Sequence, residues 1–292
     1  MTFWDHLEAL RWCFFRVLIA LVLAFAGVFA VLPSIFDRFI LGAAHADFFA
    51  YRLLGVLGQA SDVQIININV ASQFLTHMSA SLWIALLLIF PDLLYQIWAF
   101  VKPALYPGEL KGVKSAFLGG TVLFYLGCTL SYVLIFPITF KFLTQYQVSQ
   151  GIVNQISLNS YMSVFLTMIF LMGIVFELPV LAWMLSALGA LRKGTLKRFR
   201  KHAVVVLLIL AAIITPTGDP FTLMVVFLPL YLLYEFSILI VRPDEPESEP
   251  QTVEAPAQDA PVQNSSAQDA PAPEPGPEPD PSKWDYPEEY DD

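Results

Sequence analysis

The sequence is poor in charged residues, in cysteine and in histidine. Charged residues make up 14% of its 292 residues, against roughly 25% in an average soluble domain. Its two cysteines, Cys13 and Cys128, lie in apolar runs, which leaves no disulfide framework or paired-cysteine metal site. The four histidines lack a metal-ligand spacing such as His-Glu-x-x-His. These shortages argue against a soluble enzyme and against metal catalysis, and we predict no cofactor.

The formal net charge of −9 divides sharply at Pro243. Residues 243–292 contain 12 of the 21 prolines, 15 of the 25 acids and one base, for a net charge of −14, whereas residues 1–242 carry a net charge of +5. A segment with so few large aliphatic residues cannot bury enough apolar surface to offset its chain entropy. We therefore predict a folded domain at 1–242, a disordered, Pro-rich acidic tail at 243–292, and no nucleic-acid partner.

Long apolar runs fill the folded domain. A helix needs about 20 apolar residues to cross a hydrocarbon core of about 30 Å. The runs predict an all-α membrane protein with six transmembrane helices, at about 14–34, 74–96, 114–138, 161–188, 203–216 and 221–241. The fifth is the shortest, because its apolar stretch Ala203–Ile214 has 12 residues and reaches only about 18 Å. Four spans followed by a re-entrant pair are therefore the alternative.

The basic residues are distributed unequally between the two sides of the membrane. With the N-terminus in the cytoplasm, 13 of the 16 bases fall on the cytoplasmic side, which leaves Arg38, Arg52 and Lys141 outside. Cytoplasmic loops of membrane proteins carry an excess of Lys and Arg. The sequence therefore predicts that both termini lie in the cytoplasm.

Acidic side chains at membrane depth are costly and are candidates for function. Glu177 lies in a 28-residue apolar run, beside Pro179, whose ring kinks the helix. Contact with a substrate or partner is one interpretation of Glu177, and an internal structural pairing is the other. Three further acids are structural or functional candidates: Asp219 in a turn that suits a helix N-cap, Glu235 nearer the cytoplasmic end of its helix, and Asp92 near the cytoplasmic end of the second span.

One long string stands apart from the general apolar pattern: Leu94–Tyr106, followed by Glu109. Four shorter stretches accompany it along the chain: His6–Arg11, Asn69–Ser72, Phe176–Val180 and Thr215–Asp219. In content and order they resemble the TatC family, the multispanning receptor subunits of twin-arginine protein translocases. With Tyr231 and Glu235, the resemblance covers nearly all of residues 1–242.

The resemblance implies a fold and a function. The fold has six helices in a bent, glove-like bundle with short fifth and sixth helices, in the cytoplasmic (inner) membrane. The function is that of a receptor and scaffold, not an enzyme, which recognises twin-arginine signal peptides of folded precursors and is driven by the protonmotive force. The implied partners are TatA-like and TatB-like single-span subunits, within an oligomeric receptor complex, and membrane lipids.

The resemblance also implies site residues, because acids of the family's N-terminal region and first cytoplasmic loop contact the paired arginines. Glu109 matches the loop acid. The family's N-terminal acid, two residues before Arg11, is replaced by Ala9, and the nearest acid is Glu8, about 100° of helix rotation away. The implied signal-peptide site comprises Glu109, Glu8, Arg11, Phe100, Pro103, Leu105 and Tyr106. Glu177, with Pro179, would meet a polar residue of a single-span partner.

An intramembrane acid beside a proline is also compatible with a second function, a proton-coupled secondary transporter of a small solute. Such transporters usually contain internal repeats and more intramembrane polar groups. The sequence shows no repeat with a period of 20 to 50 residues. The transporter therefore remains the alternative prediction.

Overall fold

The computed structural model describes residues 3–54, 63–101, 110–149, 151, 154–215, 217–241 and 243. The chain divides into a unit Met1–Glu245 and a unit Pro246–Asp292, and all that follows concerns the first. Apart from Pro243, the tail predicted to be disordered lies outside the described residues.

Helices make up most of the described chain. The α-helices are α1 (Phe3–Ile35), α2 (Phe49–Leu54), α3 (Ser72–Val101), α4 (Leu110–Leu130), α5 (Phe136–Gln145), α6 (Leu158–Val175), α7 (Leu178–Ala187), α8 (Lys193–Arg198), α9 (Arg200–Ile214) and α10 (Pro220–Ile240). A π-helical turn, Phe36–Ile40, and a 3₁₀ turn, Leu41–Ala44, follow α1. A second π-helical segment, Ser131–Ile135, joins α4 to α5.

Five helical segments of the described chain are long and apolar enough to cross a membrane: Leu10–Leu53, Ser72–Phe100, Phe117–Gln145, Leu158–Ala187 and Pro220–Ile240. The protein is therefore a mostly helical, multi-pass membrane protein. The observed helices overlap the six predicted spans and extend beyond several of them, since α1 begins at Phe3 and α3 ends at Val101. Helix α9 has only 15 residues, which corresponds to about 22 Å.

Two short strands depart from the all-α prediction. β1 (Ile65–Ile66) and β2 (Ile156–Ser157) pair in parallel, with Ile65 opposite Ile156. Periodicity does not reveal such strands, because two residues are too few to show the alternation of a strand. Their pairing joins the segment before α3 to the segment before α6.

Helix α1 packs antiparallel along α3. The ring of His77, early in α3, stacks on that of Phe29, late in α1, with centroids 3.9 Å apart. His77 Nε2 also lies 3.0 Å from the Phe29 carbonyl oxygen. The start of α1 and the end of α3 therefore share one end of the bundle, which we call the N-terminal end.

The opposite end, which we call the distal end, is held by aromatic side chains. The Tyr161 hydroxyl, at the start of α6, donates a hydrogen bond to the carbonyl of Ile40, just after α1. Phe142, near the end of α5, stacks on Phe221, at the start of α10, with centroids 4.1 Å apart. These contacts bring the end of α1, the end of α5 and the starts of α6 and α10 together.

At the N-terminal end, α3 contacts α7, and α8 contacts α10. Trp98 near the end of α3 and Trp183 in α7 lie with ring centroids 6.2 Å apart. The Tyr234 hydroxyl of α10 donates to the Leu196 carbonyl of α8 at 2.7 Å. The two ends therefore have separate sets of contacts, and the predicted acids can be assigned to one end or to the interior.

Candidate functional site

Glu177 lies at a break in the helical run that starts at α6. Helix α6 ends at Val175, and the backbone N–H of Glu177 donates to the Ile174 carbonyl at 3.0 Å in a tightened last turn. Helix α7 starts at Leu178 with Pro179 in its first turn, where the missing N–H of proline costs nothing. The break thus lies where the sequence predicts that Pro179 disturbs the helix.

The carboxyl group of Glu177 is buried against helix α4. The residue is 6% exposed, and its Oε1 atom has no hydrogen-bond partner among the described residues. A Cβ atom built on Gly120 of α4 would lie 2.8 Å from Glu177 Oε2. Leaving a buried polar group unsatisfied costs about 1–3 kcal/mol, so this oxygen atom is a costly feature of the fold.

Three glycines allow α4 and α6 to approach closely around this carboxyl. Besides Gly120, a Cβ on Gly127 would lie 2.6 Å from the Phe176 ring, and a Cβ on Gly173 would lie 2.5 Å from the sulfur of Cys128. Small residues at helix contacts in membranes permit this close packing. These glycines were not predicted from the sequence, although the neighbouring pair Gly119-Gly120 in an apolar run was a visible signal.

Asp219 caps the N-terminus of α10, as the sequence predicts for this turn. Its Oδ1 accepts the backbone N–H of Thr222 at 2.8 Å, and its Oδ2 accepts the Thr217 hydroxyl at 2.7 Å. Burial raises the pKa of Asp219, but these hydrogen bonds outweigh it and hold the pKa below its ordinary value. The position gives Asp219 a structural task at the distal end of α10.

Glu235 lies at the N-terminal end and is paired with helix α9. The Arg200 guanidinium donates to Glu235 Oε2 at 2.7 Å, and the Tyr231 hydroxyl donates to Oε1 at 3.1 Å. Arg200 and Glu235 are both partly exposed, so the ion pair is screened by solvent. Together these bonds tie the start of α9 to the end of α10.

Asp92 is half-buried in α3, one turn before Gln96. The Gln96 amide nitrogen lies 3.5 Å from Asp92 Oδ1, which is a weak hydrogen bond within one helix. No wider role for Asp92 follows from this contact.

The N-terminal residues of the predicted signal-peptide site lie on an exposed face of α1. A guanidinium nitrogen of Arg11 is 4.0 Å from Glu8 Oε1, and both side chains are more than half exposed. The Arg11 guanidinium carbon lies 5.6 Å from the centroid of the Trp12 ring. The Glu8 carboxylate is therefore accessible, and its pairing with Arg11 is weak.

The loop part of the predicted site is mostly outside the described residues. Phe100 is described and lies half-buried at the end of α3, at the N-terminal end. The remaining loop positions, Pro103, Leu105, Tyr106 and Glu109, lie outside the described residues. The described chain contains no group of three or more His, Cys, Asp or Glu side chains that could hold a metal ion.

Comparisons with known proteins agree on one family. The family model for the Sec-independent protein translocase protein (TatC) matches residues 5–229. The TatC protein of Blattabacterium sp. subsp. Periplaneta americana (strain BPLAN) is 33% identical over 252 residues, which cover 82% of this chain and 94% of that protein. The TatC protein of Helicobacter pylori (strain ATCC 700392 / 26695) is 34% identical over 237 residues, which cover 81% of this chain and 86% of that protein.

A solved structure has the same fold. The crystal structure of the twin arginine translocase receptor TatC in DDM aligns with a TM-score of 0.69 and 27% identity. The alignment covers 81% of this chain and 99% of that one.

Proposed function

This chain belongs to the TatC family of Sec-independent protein translocase proteins, and on that premise we propose that it is the receptor and scaffold subunit of a twin-arginine translocase. In that role it recognises the signal peptides of folded precursor proteins, whose export is driven by the protonmotive force. The family match over residues 5–229 carries the proposal, because it extends across the loop acid, Glu177 and the start of α10. The comparisons do not favour the alternative of a proton-coupled solute transporter.

The proposed topology has six spans in a bent, glove-like bundle, with both termini in the cytoplasm and the chain in the inner membrane. Helix α9 is then a short fifth span of about 22 Å, which thins the bilayer or relies on its flanking residues. The N-terminal end becomes the cytoplasmic face. Six bases there suit cytoplasmic loops and anionic headgroups: Arg192, Lys193, Lys197, Arg198, Arg200 and Lys201.

The proposed receptor site uses carboxylates at the cytoplasmic face to bind the paired arginines. Guanidinium groups form charge-assisted, often bidentate hydrogen bonds with carboxylates. Glu109 is the acid that the family resemblance assigns to this task. Glu8 supports it, because its carboxylate is exposed and is held only weakly by Arg11, so an incoming guanidinium can replace Arg11 at little cost.

Around these acids, the remaining site residues shape the surface that the signal peptide contacts. Phe100, Pro103, Leu105 and Tyr106 provide apolar and aromatic groups next to Glu109 in the sequence. The apolar part of the signal peptide would lie against such groups, because its burial removes apolar surface from water. The acids then select the arginines and the apolar residues add affinity.

Within the membrane, Glu177 is the proposed contact for a TatA-like or TatB-like single-span subunit in an oligomeric complex. Its carboxyl is buried beside Gly120 with one oxygen unpaired among the described residues. Because the oxygen is buried, a polar side chain of a partner helix reaches it only when the neighbouring side chains move aside, and it then satisfies the oxygen in a medium where water does not. Pro179 supports the contact by keeping the helix broken next to Glu177.

The receptor role is tested by photo-crosslinking a twin-arginine precursor to the full-length chain in membrane vesicles, with the probe at position 110. We expect Glu109→Gln to reduce crosslinking by about tenfold, the size expected for losing a charge-assisted contact. Lys111→Gln is the matched control, since it also removes one charge from the same segment. A precursor with two lysines in place of the arginines gives the background.

The crosslinking results distinguish recognition by Glu109 from recognition by Glu8. If Glu109→Gln crosslinks like the unmodified chain while Glu8→Gln loses the signal, the N-terminal acid alone carries recognition. If neither substitution changes the ratio of twin-arginine to twin-lysine crosslinking, the proposed carboxylate site is wrong.

A further inference from the structure

A polar groove of about 350 Å³ lies between α3 and α6, towards the distal end of both helices. Five of its lining side chains carry a hydroxyl or an amide group, and none of the described lining residues is charged: Thr76, Ser79, Asn159, Ser163 and Thr167. The groove is formed by the two long apolar segments Ser72–Phe100 and Leu158–Ala187. Polar groups in such segments are costly unless they are hydrogen-bonded. Their hydrogen bonds therefore decide what the groove can hold.

Hydrogen bonds between the two helices satisfy only the distal part of the groove. Asn159, the second residue of α6, accepts on Oδ1 from the Ser72 hydroxyl at 2.7 Å and from the Thr76 hydroxyl at 3.3 Å. Ser72 and Thr76 are both buried. These bonds hold the starts of α3 and α6 side by side, so the groove follows from the way the two helices pack.

Deeper in the groove, the hydroxyls of Ser79, Ser163 and Thr167 have no hydrogen-bond partner among the described residues. A serine or threonine in a helix often donates to the carbonyl four residues earlier. Thr215 and Ser237 do so in this chain, at 3.0 and 2.8 Å. The groove hydroxyls do not, so they are available to a ligand that donates and accepts hydrogen bonds.

Water is the ligand that suits these hydroxyls. It donates and accepts hydrogen bonds, whereas the hydrocarbon chains of a bilayer do neither. The volume of the groove far exceeds the roughly 10–15 Å³ that a single water molecule needs. Because the described lining is uncharged, it offers an ion no counter-charge.

A second cavity, of about 410 Å³, connects the groove with polar surface at the distal end. Thr76 lines both cavities. The lining of the second cavity includes the exposed polar residues Asp37, Asn67 and Gln73. Water that solvates these residues therefore has a short route into the groove between α3 and α6.

We propose that water fills this groove from the distal end as far as Thr167, with Ser79, Ser163 and Thr167 as its hydrogen-bonding ligands. Thr167 lies nine residues after the start of α6, which is about 14 Å along the helix. Polar groups of a peptide inserted beside α6 then find hydrogen-bond partners that lipid chains lack. The proposal goes beyond the receptor function, because it concerns the distal end and involves no signal peptide.

The test measures how fast single cysteines in the full-length chain react with a charged methanethiosulfonate reagent. The chain is purified, its native cysteines are removed by Cys13→Ala and Cys128→Ala, and it is placed in lipid nanodiscs that leave both faces accessible. The reagent attacks the thiolate, which forms in water and is disfavoured in apolar surroundings. No precursor or partner subunit is present, so the result is independent of the proposed receptor function.

Two matched pairs separate the groove from the lipid-facing surface at the same depth. Ser79→Cys is compared with Met78→Cys, and Thr167→Cys with Leu82→Cys. Met78 and Leu82 are 40% and 42% exposed and lie outside the groove lining. We expect the groove cysteine of each pair to react at least about tenfold faster, because its thiol ionises in water. Ser79→Cys exchanges a single atom, and equal unfolding temperatures within a pair confirm that folding is retained.

Blocking the groove shows whether access runs through it. Ser163 is exposed and lies one turn nearer the distal end than Thr167, so Ser163→Leu should slow the reaction of Thr167→Cys to the rate of Leu82→Cys. Met78→Leu, outside the groove, is the control and should leave that reaction unchanged. Equal rates within both pairs would assign the groove to lipid chains and overturn the proposal. A fast reaction of Thr167→Cys that persists with Ser163→Leu would also overturn it.

Discussion

Replacing Gly120 by alanine tests whether the position of the Glu177 carboxyl matters, because it displaces the group without changing it. The added Cβ would lie 2.8 Å from Glu177 Oε2 and 3.3 Å from Oε1, whereas ordinary contacts begin at 3.4 Å. The carboxyl group must therefore move by about 0.6 Å to relieve the repulsion. A hydrogen bond of about 2.9 Å to a partner would lengthen to about 3.5 Å and be largely lost.

Gly120→Ala should have a smaller effect on the free energy of unfolding than on the proposed contact between Glu177 and a partner. Overpacking a buried site costs about 1–3 kcal/mol, and alanine regains up to about 1 kcal/mol of helix propensity over glycine. The net loss in the free energy of unfolding of Gly120→Ala is thus about 0–3 kcal/mol. We expect a folded protein in which the proposed partner contact at Glu177 is impaired.

The assay combines export of a twin-arginine reporter in cells with photo-crosslinking from position 181, an exposed residue one turn beyond Glu177. Gly119→Ala is the matched control, because a Cβ there would meet nothing within 4 Å. We expect Gly120→Ala to lower both export and partner crosslinking, and Gly119→Ala to leave both unchanged. Equal export and crosslinking in the two variants would refute the reasoning. Lower stability with unchanged crosslinking would instead make Glu177 a structural residue.

Three further predictions concern the folding of the same chain, each read from unfolding in detergent. Gly127→Ala should destabilise by about 1–3 kcal/mol relative to Gly119→Ala, because its Cβ would lie 2.8 Å from a backbone oxygen of α6; equal stabilities would contradict the close helix contact. Asp219→Ala should cost about 1 kcal/mol. The pKa of Asp219 is lowered in the folded state. The stabilisation by its carboxylate is therefore present above the unfolded pKa of about 3.9 and is lost as the pH falls through the folded pKa. A stability difference between Asp219→Ala and the unmodified chain that does not change with pH would contradict this prediction. A double-mutant cycle on Arg200 and Glu235 should give a coupling of no more than about 1 kcal/mol, because both side chains are partly exposed; a larger value would indicate a desolvated pair.

The positions of the five long apolar helical segments and the break at Glu177 were predictable because both depend on local sequence. Apolar run length decides which segments are long enough to cross, and proline restricts the backbone around itself whatever surrounds it. The N-cap at Asp219 is equally local, since its partner Thr222 lies three residues away. The family assignment made from Leu94–Tyr106 is confirmed by the match over residues 5–229.

The features that sequence reasoning missed depend on contacts between distant segments. Gly120 and Glu177 are 57 positions apart, and no periodicity reveals that their helices meet at these faces. Lys141 was predicted only as a base on the outer side of the membrane, because its burial places it beside the Tyr51 ring, 90 positions earlier in the chain. Such tertiary information is absent from a single sequence.

The break beside Glu177 divides the long apolar segment Leu158–Ala187 into two helices, α6 and α7. Helix α6 packs against α4 through the glycine contacts, whereas α7 packs chiefly against α10. The carboxyl group lies at this break, so the proposed partner would contact the chain between the two helices. The proposed partner contact at Glu177 would therefore lie between the part of the segment that packs on α4 and the part that packs on α10.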